Sequence, residues 1–210
     1  MKTGDGTELS ERIKNIKLLV VDCDGTLTDG KYHVSSEGVT TKAYTTHDWW
    51  AMQKVQDCGI MVLILTHCND NSIDYRIRNL PYLARHRMVL TKLDWGETKS
   101  DYIRDFIRDR NIELDEVAFI GDAENDLCSM KICGYTGCPA DAVSIIKEES
   151  NFVSDVNGGE GAVREFIISI IGEQAYSEQP IKDNYGNQRN RTNGKSSNSI
   201  ELVEPQDEVS

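Results

Sequence analysis

Four short stretches of this 210-residue chain carry side chains suited to phosphoryl transfer. They are Asp22-Cys-Asp24-Gly-Thr-Leu-Thr-Asp-Gly30, then Thr66, then Lys99, and last Gly121-Asp122 with Asp126 close behind. Moving a phosphoryl group requires a nucleophile, neutralisation of the equatorial oxygens and a proton for the leaving oxygen. A carboxylate can serve as nucleophile through an aspartyl phosphate, and Asp22 suits that role. Asp24, two residues on, would protonate the leaving oxygen and then activate water. Magnesium prefers oxygen ligands and usually takes only one or two carboxylates. Asp22 and Asp122 are the candidates, with the Asp24 carbonyl as a third protein ligand. Thr66 and Lys99 would hold phosphate oxygens as hydroxyl donor and point charge, and Gly25 would let the backbone approach the phosphate.

Taken singly, each stretch reads as readily as ordinary structure. Asp-x-Asp-Gly is a common turn, Thr66 a strand residue, Gly-Asp a loop and Lys99 a surface lysine. Their order along the chain, at the ends of apolar runs, favours chemistry.

Those runs supply the elements that must position the site. Lys17-Leu-Leu-Val-Val-Asp22, Ile60-Met-Val-Leu-Ile-Leu65 and Val117-Ala-Phe-Ile120 read as buried parallel strands. Residues 31–45 read as a hairpin turning at Ser35-Ser36-Glu37-Gly38. Helices are expected over His47–Cys58, Asp70–Asn79, Glu97–Arg110 and Gly161–Ile171, with a short strand at Met88–Leu90. A helix, a short strand and a further helix fill the interval between 120 and 161. Alternating strands and helices imply an α/β domain with a parallel sheet covered on both faces. In such sheets ligands bind beyond the carboxyl ends of the strands, where the four stretches fall.

Composition divides the chain into a loose leader (1–13), a domain (14–172) and a polar tail (173–210), the last too poor in apolar residues to repay ordering. The net charge of −12 argues against nucleic-acid and anionic-membrane partners. No apolar run reaches membrane-spanning length, and Met1–Glu11 lacks a secretory apolar stretch, so the cytoplasm is the default location. Six cysteines without a Cys-x-x-Cys pair read as buried free thiols rather than as a zinc site.

The four stretches together resemble the motifs of the haloacid dehalogenase superfamily. The hairpin after the first motif, with Pro139-Ala-Asp-Ala142 and Gly158-Gly-Glu-Gly-Ala-Val-Arg-Glu165, is similar to its small cap-less phosphatases of 3-deoxy-2-ulosonic acid phosphates, the KDO 8-phosphate and sialic-acid-type 9-phosphate group. The resemblance covers about residues 15 to 172. It implies a Rossmann-like fold without a cap domain, Mg2+, a small phosphorylated sugar acid as substrate, and a homotetramer in which a neighbour closes the site. It also implies that Arg76 and Asp48 lie near the substrate and that Asp126 supports the metal site. The chain departs from the family pattern at Thr66-His67-Cys68, where Thr-Gly-Arg is usual, at Trp49-Trp50 after Asp48, and at Ala123. Two other readings stay open: a non-catalytic tetramerisation module of the same fold associated with CMP-sialic acid synthesis, and a phosphatase for another metabolite.

Overall fold

The computed structural model describes residues 6–80, 87–94 and 96–178. Its frame is a six-stranded, wholly parallel sheet in the order β5-β4-β1-β6-β7-β8. The strands are β1 (Leu18–Val21), β4 (Met61–Thr66), β5 (Met88–Lys92), β6 (Val117–Ile120), β7 (Tyr135–Cys138) and β8 (Phe152–Val153). The helices are α1 (Gly6–Lys14), α2 (Thr46–Asp57), α3 (Ser72–Arg78), α4 (Lys99–Arg108), α5 (Leu127–Ile132), α6 (Ser144–Glu149), α7 (Ala162–Ile171) and α8 (Glu173–Glu178). A separate antiparallel pair, β2 (His33–Val34) and β3 (Thr40–Thr41), makes the hairpin between β1 and α2.

The central strand shows why the fold is two-sided. Leu19 and Val21 pack into a cluster with Met52 and Val55 of α2, Ile73 of α3 and Phe166 of α7. Leu18 and Val20 point the other way, towards Ile103 and Phe106 of α4, Met130 of α5 and Ile146 of α6. Each fully buried aliphatic side chain contributes about 1.5–3 kcal/mol, so a strand apolar on both faces is held only if both faces are covered. Register then sets the site. Val21 lies opposite Ile64 of β4 and Ile120 of β6, so the chains leave these three strands nearly level and on the same edge.

The expected helices and strands are present, with no stated boundary moved by more than two residues, and the paired strands of the hairpin lie within residues 33–41 of the expected 31–45. Two assignments made from composition change. Residues expected as a loose leader include α1, whose Leu9 and Ile13, one turn apart, pack on the core cluster that α7 contributes to. Residues 173–178, assigned to the tail, form α8, where Lys54 of α2 donates to the Tyr176 carbonyl at 2.6 Å with its ammonium 4.2 Å from the Tyr176 ring centroid. The remainder of the expected tail and residues 1–5 lie outside the described residues. No disulfide joins any of the six cysteines, all of which lie among the described residues; Cys23 and Cys138 are buried, whereas Cys58 and Cys128 are exposed. No helix among the described residues is long and apolar enough to cross a membrane.

Candidate active site

Asp22 is the first residue past β1; its N–H donates to the Ile120 carbonyl at 3.0 Å, which extends the ladder and fixes the side chain at the sheet edge. On the neighbouring strand the chain continues through Gly121-Asp122 into a single 3-10 turn, Glu124–Asp126, that returns Asp126 beneath it. One Asp126 oxygen accepts the N–H groups of Asp122 and Ala123 at 3.0 and 3.2 Å, and the other accepts the Lys99 ammonium at 2.6 Å. Lys99 opens α4, is 1 % exposed, and also donates to Asp22. Carboxylate oxygens of Asp22, Asp122 and Asp126 all lie within 4.8 Å of one another.

The electrostatics follow from that crowding. Burial pushes the Asp22 carboxyl well above the usual range; Lys99 pulls it back in part, while Asp126 and Asp122 push it further up. Asp122 is pushed up to about 6, by burial first and then by Asp126. Burial opposes the charge on Lys99, but Asp22 and Asp126 outweigh it and hold the ammonium above its ordinary value. One ammonium compensates three carboxylates incompletely, and an all-oxygen donor set of this kind fits a hard divalent cation such as magnesium.

Gly25 has φ +91°, and a Cβ there would overlap the Asp122 carboxylate. The glycine is therefore required by a side chain of the acidic cluster, where the sequence reading assigned it to a phosphate. Thr26 steadies the same carboxylate by donating to Asp122 Oδ1 at 3.2 Å.

A cleft of about 350 Å³ opens over this edge, lined by Asp22, Asp24, Tyr32, Thr66, Cys68 and Asn125 among others. The Thr66 oxygen accepts the Cys68 N–H at 3.1 Å, so its own O–H is directed elsewhere and can donate into the cleft. His67, next along, is within 3.0 Å of the Glu97 carbonyl. The structure thus brings Asp22, Asp24, Thr66, Lys99, Asp122 and Asp126 to one place.

Asp24, Arg76 and Asp48 are held by partners that the sequence did not indicate. The Asp24 carboxylate, expected to handle the leaving-group proton, is paired with Lys42, its Oδ1 2.6 Å from the ammonium. Arg76, expected to face a substrate, lies with its guanidinium 5.2 Å from the Trp49 ring centroid on the α2–α3 side. Asp48, expected near the substrate entrance, is fully buried, and its Oδ1 accepts the Arg164 N–H at 2.8 Å. The N-cap of α7 is Gly161, which has no side chain to offer, so a carboxylate from α2 satisfies one of the free N–H groups of the first turn. Bulk at Trp49 is likewise interior: the ring is 2 % exposed and packs edge-on against Tyr44, while Trp50 is exposed.

Asp48 carries a stability prediction. Its Oδ2 is buried without a hydrogen bond. Burial pushes the carboxyl up to about 7, with the Arg164 N–H and guanidinium pulling down and Glu165 pushing up. The unfolded chain releases this proton near pH 4 and the folded chain near 7, so between those values the native state binds the extra proton. Stability is then lost as pH rises through that window, by up to about 4 kcal/mol. Asp48→Asn keeps an acceptor for Arg164 and removes the titration. Thermal melts from pH 4.5 to 8 are expected to show a flatter profile for the variant, which becomes the more stable protein at pH 8. Parallel profiles would count against the buried-acid account.

Sequence reasoning missed Lys42 and Asp70. Lys42 Nζ is 2.5 Å from Asp70 Oδ2 as well as near Asp24, and its side chain is 1 % exposed. No local signal marks it, because its partners are chosen by how the hairpin folds back over the edge of the sheet.

Comparison with known proteins agrees with this geometry. A family model described as haloacid dehalogenase-like hydrolase matches residues 84–167. The 3-deoxy-D-manno-octulosonate 8-phosphate phosphatase KdsC of Haemophilus influenzae is 28% identical over 169 residues, covering 80% of this chain and 90% of that protein. Its Escherichia coli K12 counterpart is 28% identical over 161 residues, 76% of this chain and 81% of that one. Among solved structures, the Moraxella catarrhalis phosphatase of the same name, in complex with magnesium, phosphate and KDO, superposes with a TM-score of 0.70 at 28% identity, covering 81% of this chain and 93% of that chain.

Proposed function

We propose that this phosphoric monoester hydrolase, similar to the haloacid dehalogenase-like hydrolases, is a magnesium-dependent phosphatase working through an aspartyl phosphate on a 3-deoxy-2-ulosonic acid phosphate. The observation that carries this reading is the acidic cluster: Asp22, Asp122 and Asp126 lie within 4.8 Å of one another, and Asp22 lines a cleft together with Asp24 and Thr66. Packing three carboxylates around one ammonium costs stability that an apolar edge would not. A non-catalytic assembly module gains nothing from keeping it.

In this reading Asp22 and Asp122 hold the ion, with the Asp24 carbonyl as third protein ligand and Asp126 in support. A bound magnesium supplies positive charge to the phosphoryl oxygens. Asp22 attacks phosphorus; its oxygen–phosphorus bond forms as the ester bond breaks, and the departing electron pair takes the proton from Asp24. Asp24, now a carboxylate, takes a proton from water, whose oxygen displaces Asp22 and releases inorganic phosphate. Thr66 donates to a phosphoryl oxygen, while Lys99 contributes its charge and holds Asp22 in line for attack. The eight- or nine-carbon sugar acid is supported by the relatives' named substrate. A homotetramer belongs to the same reading, since Tyr32, Val34 and Val39 of the hairpin are exposed apolar residues that a neighbouring subunit would cover.

The test is phosphate release from a panel of eight- and nine-carbon ulosonic acid phosphates, ordinary sugar phosphates and nucleotides, with magnesium and with chelator. Magnesium-dependent release, fastest with the sugar-acid esters, is expected. A preference for nucleotides would overturn the substrate class, and silence across the panel would overturn the activity.

A further inference from the structure

Lys42 is the one interior cation of the hairpin connection, and it joins three segments that are remote in sequence. Its ammonium lies 2.6 Å from Asp24 Oδ1 in the loop after β1, and 2.5 Å from Asp70 Oδ2 and 3.3 Å from Cys68 Sγ in the loop after β4. It also sits 4.5 Å from the centroid of the Tyr32 ring, on the other arm of the hairpin. The side chain is 1 % exposed, against 23 % for Asp24 and 20 % for Asp70, so the lysine stands behind the cleft wall with Asp24 in front of it. It does not line the cleft, whereas Asp24 does.

Asp24 Oδ1 is buried and makes no aligned hydrogen bond; the ion pair with Lys42 is the contact that fixes it. Without that contact the carboxyl would be free to rotate about its last bond. A general acid must come within hydrogen-bond reach of the leaving oxygen, and a misplacement of about 1 Å can cost on the order of 10²-fold in rate.

We propose that Lys42 is a positioning residue that holds the Asp24 carboxyl where the leaving-group proton is delivered, which makes the hairpin part of the reaction machinery. The inference rests on the phosphatase reading above and extends it. Burial weakens the charge on Lys42, but Asp24 and Asp70 outweigh burial and raise its proton affinity, so the clamp stays charged across the neutral range. Asp70 in turn is fixed by accepting the Ser72 N–H at 2.8 Å, which anchors the clamp to the start of α3.

The experiment compares Lys42→Met with wild type on two esters in the presence of magnesium. One is a primary alkyl phosphate, whose alkoxide needs a proton to leave; the other is p-nitrophenyl phosphate, whose nitrophenolate does not. On the alkyl ester kcat is expected to fall about 10²-fold with KM changed less than about threefold. The pre-steady-state burst of nitrophenolate should keep its rate within about threefold, because no proton is required in that half-reaction. In an Asp24→Asn background, Lys42→Met should cost less than about twofold more, as expected when one residue acts through the other. Equal losses on the two esters, or additive losses in the double variant, would show a merely structural lysine and overturn the proposal. Should Lys42→Met fail to fold, Lys42→Arg keeps the charge on a differently shaped head and is expected to show the same split between esters at smaller size. A wild type silent on every ester would sink the phosphatase reading itself, whereas an active wild type with an indifferent Lys42→Met would sink only this inference.

Discussion

Asp22→Asn is expected to reduce phosphate release by on the order of 10³-fold or more while raising the melting temperature of the metal-free protein. The two effects have one origin. The Asp22 carboxylate is buried beside two others and its charged form is disfavoured there, so the native state bears a cost for keeping a nucleophile in place. Asparagine retains an oxygen to accept from Lys99 and removes the charge, but it cannot form the acyl phosphate. Rate loss accompanied by added stability separates a chemical role from damage to the fold, which would lower both. Phosphate release and thermal melting on the same preparation decide the matter. A variant within tenfold of wild-type turnover would remove Asp22 from the role of nucleophile.

Lys99→Met is expected to produce the largest loss of stability of any single change at the site. Lys99 is 1 % exposed and donates to both Asp22 and Asp126. Removing one member of a buried ion pair strands the other and costs about 3–5 kcal/mol; here two carboxylates are stranded beside a third. Added magnesium should restore part of the loss, because binding to the folded state alone stabilises by mass action. The melting temperature of the variant should therefore rise more on addition of magnesium than that of wild type. Turnover should still fall by about 10²-fold or more, since the ammonium that holds Asp22 in line is gone. Equal magnesium shifts in the two proteins would mean that the ion does not enter this cluster.

Much of this arrangement can be read from the chain because β1, β4 and β6 are short apolar runs broken by polar residues at their carboxyl ends. Parallel register then needs only the flush alignment of Val21, Ile64 and Ile120 to bring Asp22, Thr66 and Asp122 to one edge. What stayed hidden depends on how elements pack on one another. Asp48 sits in the first turn of α2, and nothing local tells whether a carboxylate there faces a cleft or the uncapped start of α7; the contact between these two helices decides it. Arg76 is settled likewise, by the Trp49 ring beside it. Lys42 was invisible because its partners belong to two other loops. The α1 helix was missed because Leu9 and Ile13 are its main apolar positions in a polar stretch, a signal too thin to distinguish from a loose leader.

The pairing of three carboxylates with one ammonium also bears on which ions the cleft edge can accept. With every carboxylate ionised, two negative charges remain uncancelled. A doubly charged cation brings the assembly to electroneutrality, whereas sodium or potassium would leave it one charge short. In the proposed metal-bound state, valence would thus be selected by the charge of these side chains before radius or coordination number discriminates among the remaining ions, and salt would screen that choice little, because Asp22 and Asp126 are buried.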